Sequence, residues 1–293
     1  MIRYFALSAL LVTTQSAAQQ PALKVSPLKP APGSLVQLSL ASVPSDSIAV
    51  VTGQMSGEPL HFRRSAGGTW RAIGPVTVDA TDSVPARVAV ERTSGRVDSV
   101  TVYVSLPLRP PPSKSPSRPR QLAVDSRFTR PMTSETQARI DRENAQAREV
   151  GKKAHETPAM WTESFINPRS SSITSRFGSG RMFNGTLSSR HLGVDFSGVT
   201  GAPVRAANRG VVALVGDFFL AGNVVYVDHG AGVVTGYFHL SKTLVAAGDT
   251  VQRGQEIGLV GATGRVTGPH LHWNARYGAV TVNPLDLVRI GTN

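Results

Sequence analysis

The chain has 293 residues, no cysteine, and 31 Lys and Arg against 19 Asp and Glu, for a net charge of +12. This length excludes a peptide hormone or bare motif, and the missing thiols exclude disulfides, thiolate zinc sites and Cys nucleophiles, so a metal site would need His, Asp and Glu. The charge points to a polyanionic partner, whether nucleic acid, membrane surface or acidic polymer, without choosing among them.

The chain opens with one cationic residue, Arg3, and an apolar run to Val12 that is too short to span a bilayer. Small residues at Ser16, Ala17 and Ala18 then suit signal-peptidase cleavage. Residues 1–18 therefore read as a signal peptide, with a retained short anchor as the alternative. No other apolar run of ~20 residues follows, so the mature chain is expected to be exported and soluble.

Between residues 21 and 106, alternating segments at Ser34–Leu40, Ile48–Val51, Arg87–Glu91 and Ser99–Ser105 are separated by Gly, Pro, Asp and Ser. This spacing predicts a small immunoglobulin-like β-sandwich, with Trp70 as a core aromatic. It carries no cluster of catalytic residue types and reads as a spacer or binding module. Six of the thirteen residues from Pro107 to Pro119 are proline, which predicts an extended, semi-rigid linker. Ser134-Glu-Thr-Gln137 resembles a capping box and opens a charged helix to about Lys153. Its apolar set (Ala138, Ile140, Ala145, Ala147, Val150) is weak, so this helix is expected to bury little and residues 107–160 to act as a solvated connector.

From Trp161 the chain turns Gly- and Val-rich. Segments Gly210–Val215, Asn223–Asp228, Gly232–His239 and Val280–Val282 predict antiparallel strands, with no helix-period segment long enough to serve as a structural partner. The expected class is all-β, ending in an antiparallel β-sheet domain over residues 161–293.

Five of the seven histidines lie in this last region, four of them in three short motifs: His191-Leu-Gly-Val-Asp195, Tyr237-Phe-His239 and Gly268-Pro-His270-Leu-His272-Trp273. On a strand, His270 and His272 project from one face, ~6.6–6.8 Å apart along the backbone, while Leu271 and Trp273 face the apolar side. They serve either as two metal ligands or as one ligand and one acid/base. His191 and Asp195 would be ~13 Å apart on a straight strand, so the chain is expected to bend at Gly193 and fold the imidazole back toward the carboxylate. A His, an Asp and a second His make the three protein ligands of a catalytic zinc, which lowers the pKa of its bound water to ~7. No HExxH motif competes, since His155-Glu156 does not complete one.

These motifs resemble those of the lysostaphin/LytM-type zinc metalloendopeptidases, peptidoglycan hydrolases that carry His-x-x-x-Asp, Tyr-x-His and a Gly-rich block ending Thr-Gly-Pro-His-Leu-His. Here that block is Gly261-Ala-Thr-Gly264-Arg-Val-Thr267-Gly268-Pro269-His270-Leu271-His272, and Ser175-Arg-Phe-Gly178, Gly201-Ala-Pro-Val204 and Asp228-His-Gly230 also agree. The resemblance spans residues 165–288. It implies one Zn2+ per chain held by His191, Asp195 and His272. His239 and His270 would be the catalytic pair, one taking the proton of the water and the other stabilising the oxyanion, with His270 favoured as base. Tyr237 either orients the site or packs in the core, and His229 is structural. Where the family often has Glu after His-Leu-His-aromatic, this chain has Asn274.

The implied function is hydrolysis of amide bonds in the peptide part of peptidoglycan by an exported, monomeric enzyme of the periplasm or cell envelope. No nucleic-acid partner is expected, because the sequence has no basic stripe interleaved with aromatics and no helix-turn-helix or zinc-finger spacing, and no stable membrane span is expected after signal cleavage. A non-cleaving regulator of other wall hydrolases is the alternative. A biotinyl or lipoyl carrier is disfavoured because Lys242 lacks the flanking pattern of a modified hairpin lysine.

Overall fold

The computed structural model describes residues 22–41, 48–107, 120–185 and 187–290. The predicted signal peptide and nearly all of the proline-rich stretch, residues 108–119, lie outside them.

The N-terminal strands are β1 (Leu23–Ser26), β2 (Leu35–Leu40), β3 (Ile48–Met55), β4 (Glu58–Pro59), β5 (Arg63–Arg64), β6 (Trp70–Pro75), β7 (Ser83–Arg92) and β8 (Val97–Ser105). They form two four-stranded antiparallel sheets, ordered β1-β2-β6-β5 and β4-β3-β7-β8. Period-two patterning explains them: on β7, Val84, Ala86, Val88 and Val90 are buried while Arg87 and Glu91 are exposed. Val36, Leu38 and Leu40 of one sheet meet Val51, Met55 and Val88 of the other in a shared core, with Trp70 packed half-buried against it.

After β9 (Arg120–Leu122) and a short turn of 3-10 helix at Ser126–Phe128 comes α1 (Ser134–Lys153). Its cap is Thr133, one residue before the predicted start, whose Oγ1 accepts the Thr136 N–H at 3.1 Å. The remaining elements are β10 (Ile173–Ser175), β11 (Gly180–Phe183), β12 (Leu187–Arg190), β13 (Val194–Ser197), β14 (Pro203–Arg205), β15 (Gly210–Phe218), β16 (Gly222–Gly230), β17 (Val233–Thr243), β18 (Thr250–Val251), β19 (Glu256–Val260), β20 (His270–Tyr277), β21 (Val280–Val282) and α2 (Pro284–Arg289). The main sheet runs β10-β13-β20-β17-β16-β15-β18, joined by β14, β19 and β21. All its pairings are antiparallel. A separate sheet, β12-β11-β9, flanks it, with β9 parallel to β11.

Contrary to the solvated-connector expectation, α1 is packed. Ala147 and Ala154, just past its end, share a core with Phe218, Val224, Tyr226 and Val234 of the main sheet. Glu143 accepts the Phe219 N–H at 2.9 Å and pairs with Arg139. Small residues, Ala147 and Gly151, sit at the closest part of the contact face beside Ile140 and Val150, so the helix packs by close approach rather than through a broad apolar stripe. Gly151 sets that approach: a Cβ there would run into the Gly278 carbonyl in the turn between β20 and β21.

The N-terminal sheets also dock on the main sheet. Leu35 N–H donates to Asp286 Oδ2 at 3.0 Å, Tyr277 Oη to the Pro59 carbonyl at 2.8 Å, and Ala279 N–H to Glu58 Oε1 at 3.0 Å. His155 bridges Glu58 and His61 at 2.9 and 2.8 Å.

His229, on β16, has no solvent exposure and spends both ring nitrogens on structure, against the Arg209 carbonyl and Thr235 Oγ1, each at 2.8 Å. Burial pushes it down to about 4 from 6.5.

Two expectations follow from this packing. In an exposed helix Gly151→Ala would stabilise by up to ~1 kcal/mol, but here the steric conflict costs ~1–3 kcal/mol, so a lowered Tm in thermal melts is the expected sign. His229, neutral in the fold and readily charged once unfolded, contributes stability that is intact above pH 6.5 and is lost as pH falls toward about 4. Denaturant titrations across that window should show the decline, at up to ~1.4 kcal/mol per pH unit from this group, and His229→Asn should flatten it.

Candidate metal centre

The centre is built where β13 lies against β20, in a register that sets Asp195 directly opposite His272. On β20, Leu271 and Trp273 have no solvent exposure, and His272 takes the other face. Upstream of β13 the chain leaves strand geometry and bends at Gly193, which brings His191 back over Asp195. Only glycine fits at the bend, because a Cβ there would collide with the His272 ring and the Trp273 carbonyl. Asn274 holds this loop by donating from Nδ2 to the Leu192 carbonyl at 2.6 Å. A carboxylate at this position, where the resembled family often has Glu, could not make this donation to a backbone carbonyl.

Three ligand atoms converge. His191 Nε2 lies 2.9 Å from His272 Nδ1 and 3.0 Å from Asp195 Oδ1, and His272 Nδ1 lies 2.9 Å from Asp195 Oδ1. His191 Nδ1 stands 3.0 Å from the Arg176 carbonyl, which only accepts, and 3.0 Å from Ser175 Oγ. Nδ1 is therefore the protonated nitrogen of His191, and Nε2 presents a lone pair to the centre. Two imidazole nitrogens and a carboxylate oxygen thus face one another with at most one ring proton among them. A divalent cation satisfies all three at once, and tetrahedral zinc ligands at ~2.0–2.1 Å from the ion would stand only ~3.3 Å apart, close to the spacing found. Among the described residues this is the one cluster of His, Asp or Glu arranged to hold a metal ion.

The electrostatics keep the donors in their ligating forms. His272 is pushed down to about 4, chiefly by burial and partly offset by Asp195, so its ring is neutral near pH 7. Burial pushes the Asp195 carboxyl up, but the hydrogen bonds to His191 and His272 outweigh it and hold the group well below the usual carboxylate range. Its second oxygen, Oδ2, accepts from Arg181 Nη2, which also donates to Ser175 Oγ at 3.2 Å.

His239 and His270 stand beside this triangle, their ring centres 4.9 Å apart. His239 Nδ1 faces the Thr263 carbonyl at 2.8 Å and His270 Nδ1 the Gly268 carbonyl at 2.9 Å, so each ring keeps its Nε2 lone pair. Burial, with His270 and His272 nearby, holds His239 well below 6.5. His270 Nε2 lies 3.7 Å from Asp195 Oδ1.

All five sequence-predicted site residues therefore meet, and Tyr237 does not join them. Tyr237 has no solvent exposure; its hydroxyl accepts the Ala207 N–H at 2.7 Å and is hydrogen-bonded to Thr235 Oγ1 at 2.9 Å. Tyr237 and His239 do not share a face because His239 has φ 64° and β17 shifts register against β16 there, which re-aims the imidazole. Phe238 instead takes the site side and stacks on His272, with centres 5.2 Å apart and rings 14° from parallel. The sequence reading missed Phe238, Arg181 and Thr263. Arg181 arrives from a separate hairpin with no spacing rule to announce it, whereas Ser175 at least belonged to a recognised landmark.

Comparison with known proteins agrees with this geometry. Residues 189–284 match the family model of Peptidase family M23. The chain is 52% identical over 83 residues to the peptidoglycan DD-endopeptidase ShyA of Vibrio cholerae, covering 28% of this chain and 19% of that protein. It is 45% identical over 97 residues to the DD-carboxypeptidase/endopeptidase Mpg of Neisseria meningitidis, covering 33% of this chain and 22% of that protein. The chain thus spans about a fifth of the length of these relatives. A solved structure assigned to peptidase M23 from Pseudomonas aeruginosa is similar at 27% identity and a TM-score of 0.65, over 90% of this chain and 96% of that one. The matched segment contains His191, Asp195, His239, His270 and His272, and residues 189–284 of this chain are a domain of peptidase family M23.

Proposed function

We propose that this chain is an exported zinc-dependent endopeptidase that hydrolyses amide bonds in the peptide part of peptidoglycan. The observation that carries the reading is the triangle of His191 Nε2, His272 Nδ1 and Asp195 Oδ1, with two further imidazoles at its edge. The names of the similar proteins, DD-endopeptidases and a DD-carboxypeptidase/endopeptidase, support peptidoglycan as substrate. The N-terminal reading supports export to the envelope, and no helix among the described residues is long and apolar enough to cross a membrane. The proposed organisation is a signal peptide at 1–18, a β module at 21–106, a connector with its helix at 107–160 and the peptidase domain at 161–293.

His191, Asp195 and His272 would hold the zinc, which when bound polarises the scissile carbonyl and acidifies a water. Arg181 and the carbonyl of Arg176 fix the orientation of these donors from behind. His270 is assigned as the general base: its Nε2 lone pair is available, and the Asp195 carboxylate 3.7 Å away stabilises the imidazolium that forms when it takes the proton. The same Nε2 then carries a proton to return to the leaving amine. His239 is enclosed and flanked by two imidazoles, so it stays neutral and orients the water through its own Nε2 lone pair. It donates toward an oxyanion only in the protonated form, which burial disfavours. Phe238 packs one side of His272 and keeps bulk water from the ligand ring.

Elemental analysis of the purified chain should find about one zinc per chain, lost in His191→Ala, Asp195→Ala and His272→Ala because each removes one of three protein ligands. His270→Ala should retain the metal while release of muropeptides from purified peptidoglycan falls by ~10²–10⁴-fold. A metal-free wild-type protein that releases no peptides would overturn the enzyme reading. Metal occupancy should also fall as pH drops from neutral toward about 4, since protonation of His272 removes a ligand lone pair; a titration of bound zinc against pH checks the sign.

A further inference from the structure

Beside the metal centre the cleft is lined by Arg181 and Phe183 of β11, by Asp195 and His270, and by Arg265 from the loop before β20. Its cations are unevenly matched. Arg181 is committed to Asp195. The Arg265 guanidinium carbon lies over the Phe183 ring, 4.2 Å from its centre, and no carboxylate among the described residues pairs with it. The stacking leaves the in-plane N–H groups of the fork unspent. The loop that carries Arg265 is pinned: its backbone N–H donates to the Leu220 carbonyl at 2.8 Å, and Gly264 before it takes φ 74° and packs on the 220–222 turn too closely for a Cβ. The arginine is thus held half-buried in the cleft wall, five residues ahead of His270.

An unpaired, partly desolvated guanidinium next to another guanidinium costs free energy that an ordinary surface arginine avoids. Burial and the charge of Arg181 both push Arg265 below its usual range, which expresses that cost. A planar anion in the cleft would offset it by taking the two parallel N–H bonds that the fork presents. In a peptide substrate the planar anion is a carboxylate.

We propose that Arg265 is a specificity-determining residue that binds a free carboxylate of the substrate next to the scissile amide, so that the cleft selects peptides with an anionic group flanking the cleaved bond over neutral ones. This rests on the peptidase reading given above. Phe183 is the platform on which the guanidinium rests at the cleft wall, and Arg181, paired with Asp195, adds the neighbouring positive charge that an anionic group of the substrate would offset.

The test uses two otherwise identical branched peptides, one with a free carboxylate on the residue that supplies the amide nitrogen and one with that carboxylate converted to an amide. With the full chain, kcat/KM should favour the carboxylate peptide by about tenfold or more, the usual scale of a charge-assisted bidentate contact. In Arg265→Gln the ratio should collapse toward one, chiefly through KM, and Arg265→Lys should keep part of it. The ratio is unaffected by loss of folded protein, so a merely structural role would leave it unchanged; an unchanged ratio in Arg265→Gln overturns the proposal. Calorimetric binding of both peptides to chelator-treated full chain separates this from the peptidase reading. If neither peptide is cleaved but wild type binds the carboxylate form more tightly and Arg265→Gln does not, the peptidase reading fails and the carboxylate site stands. Equal binding of both peptides by wild type overturns the site.

Discussion

The Asp195 carboxylate is the interaction on which the rest of the structure depends. A carboxylate at 6% exposure would be prohibitively desolvated without partners, and it has several: His191 and His272 on one oxygen, Arg181 on the other. Each partner comes from a different part of the chain, so this one group ties together the bend before β13, the central strand β20 and the hairpin β11–β12. A carboxylate that holds two imidazoles edge to edge is also what makes the place suitable for a cation. Structural cost and chemical capacity are here the same fact, because lone pairs crowded together are stable only when something positive shares them.

Around that group the sheet departs from regularity where chemistry needs a side chain aimed off the pleat. At Gly193 the strand gives way so that His191 can turn back. Regular pairing of β17 with β20 puts Tyr237 with Trp273 in the core and Phe238 against His272, and at His239 a positive φ breaks the alternation so that its imidazole turns to the site. The hydrogen bonds of Thr263 and Gly268 to the imidazoles of His239 and His270 come from the loop before β20, which also carries Arg265. One loop therefore sets the tautomers of both candidate acid/base groups and positions a cation at the cleft.

The arginines refine the meaning of the net charge. Several are half-buried and specific: Arg181 on Asp195, Arg265 on Phe183, and Arg169 with Nε 3.3 Å from the Ser197 carbonyl. The excess of +12 therefore includes arginines that serve as internal fixtures, so net charge alone does not describe a binding surface. The N-terminal sheets and α1 are likewise fixtures. They reach the main sheet through polar contacts such as Tyr277 Oη with the Pro59 carbonyl and through small-residue approach at Ala147 and Gly151, neither of which leaves a strong apolar pattern.

The strands were legible because period-two burial writes itself into residue order, as in β7, and the span of α1 because its charged run is bounded. The five histidine and aspartate positions were legible as a set because three short motifs in one β region are rarely coincidental, and the bend at Gly193 because His191 and Asp195 could not otherwise meet. Residue order by itself thus determined the strand content, the helix and which residue types were available as ligands. Tertiary structure alone decided that Tyr237 leaves the site, that Arg181 and Phe238 enter it, and that α1 and the N-terminal sheets dock on the main sheet. The reason is physical: a side chain's partner across a sheet or between loops depends on register, on bulges and on the distance of closest approach, and none of these is a function of local spacing.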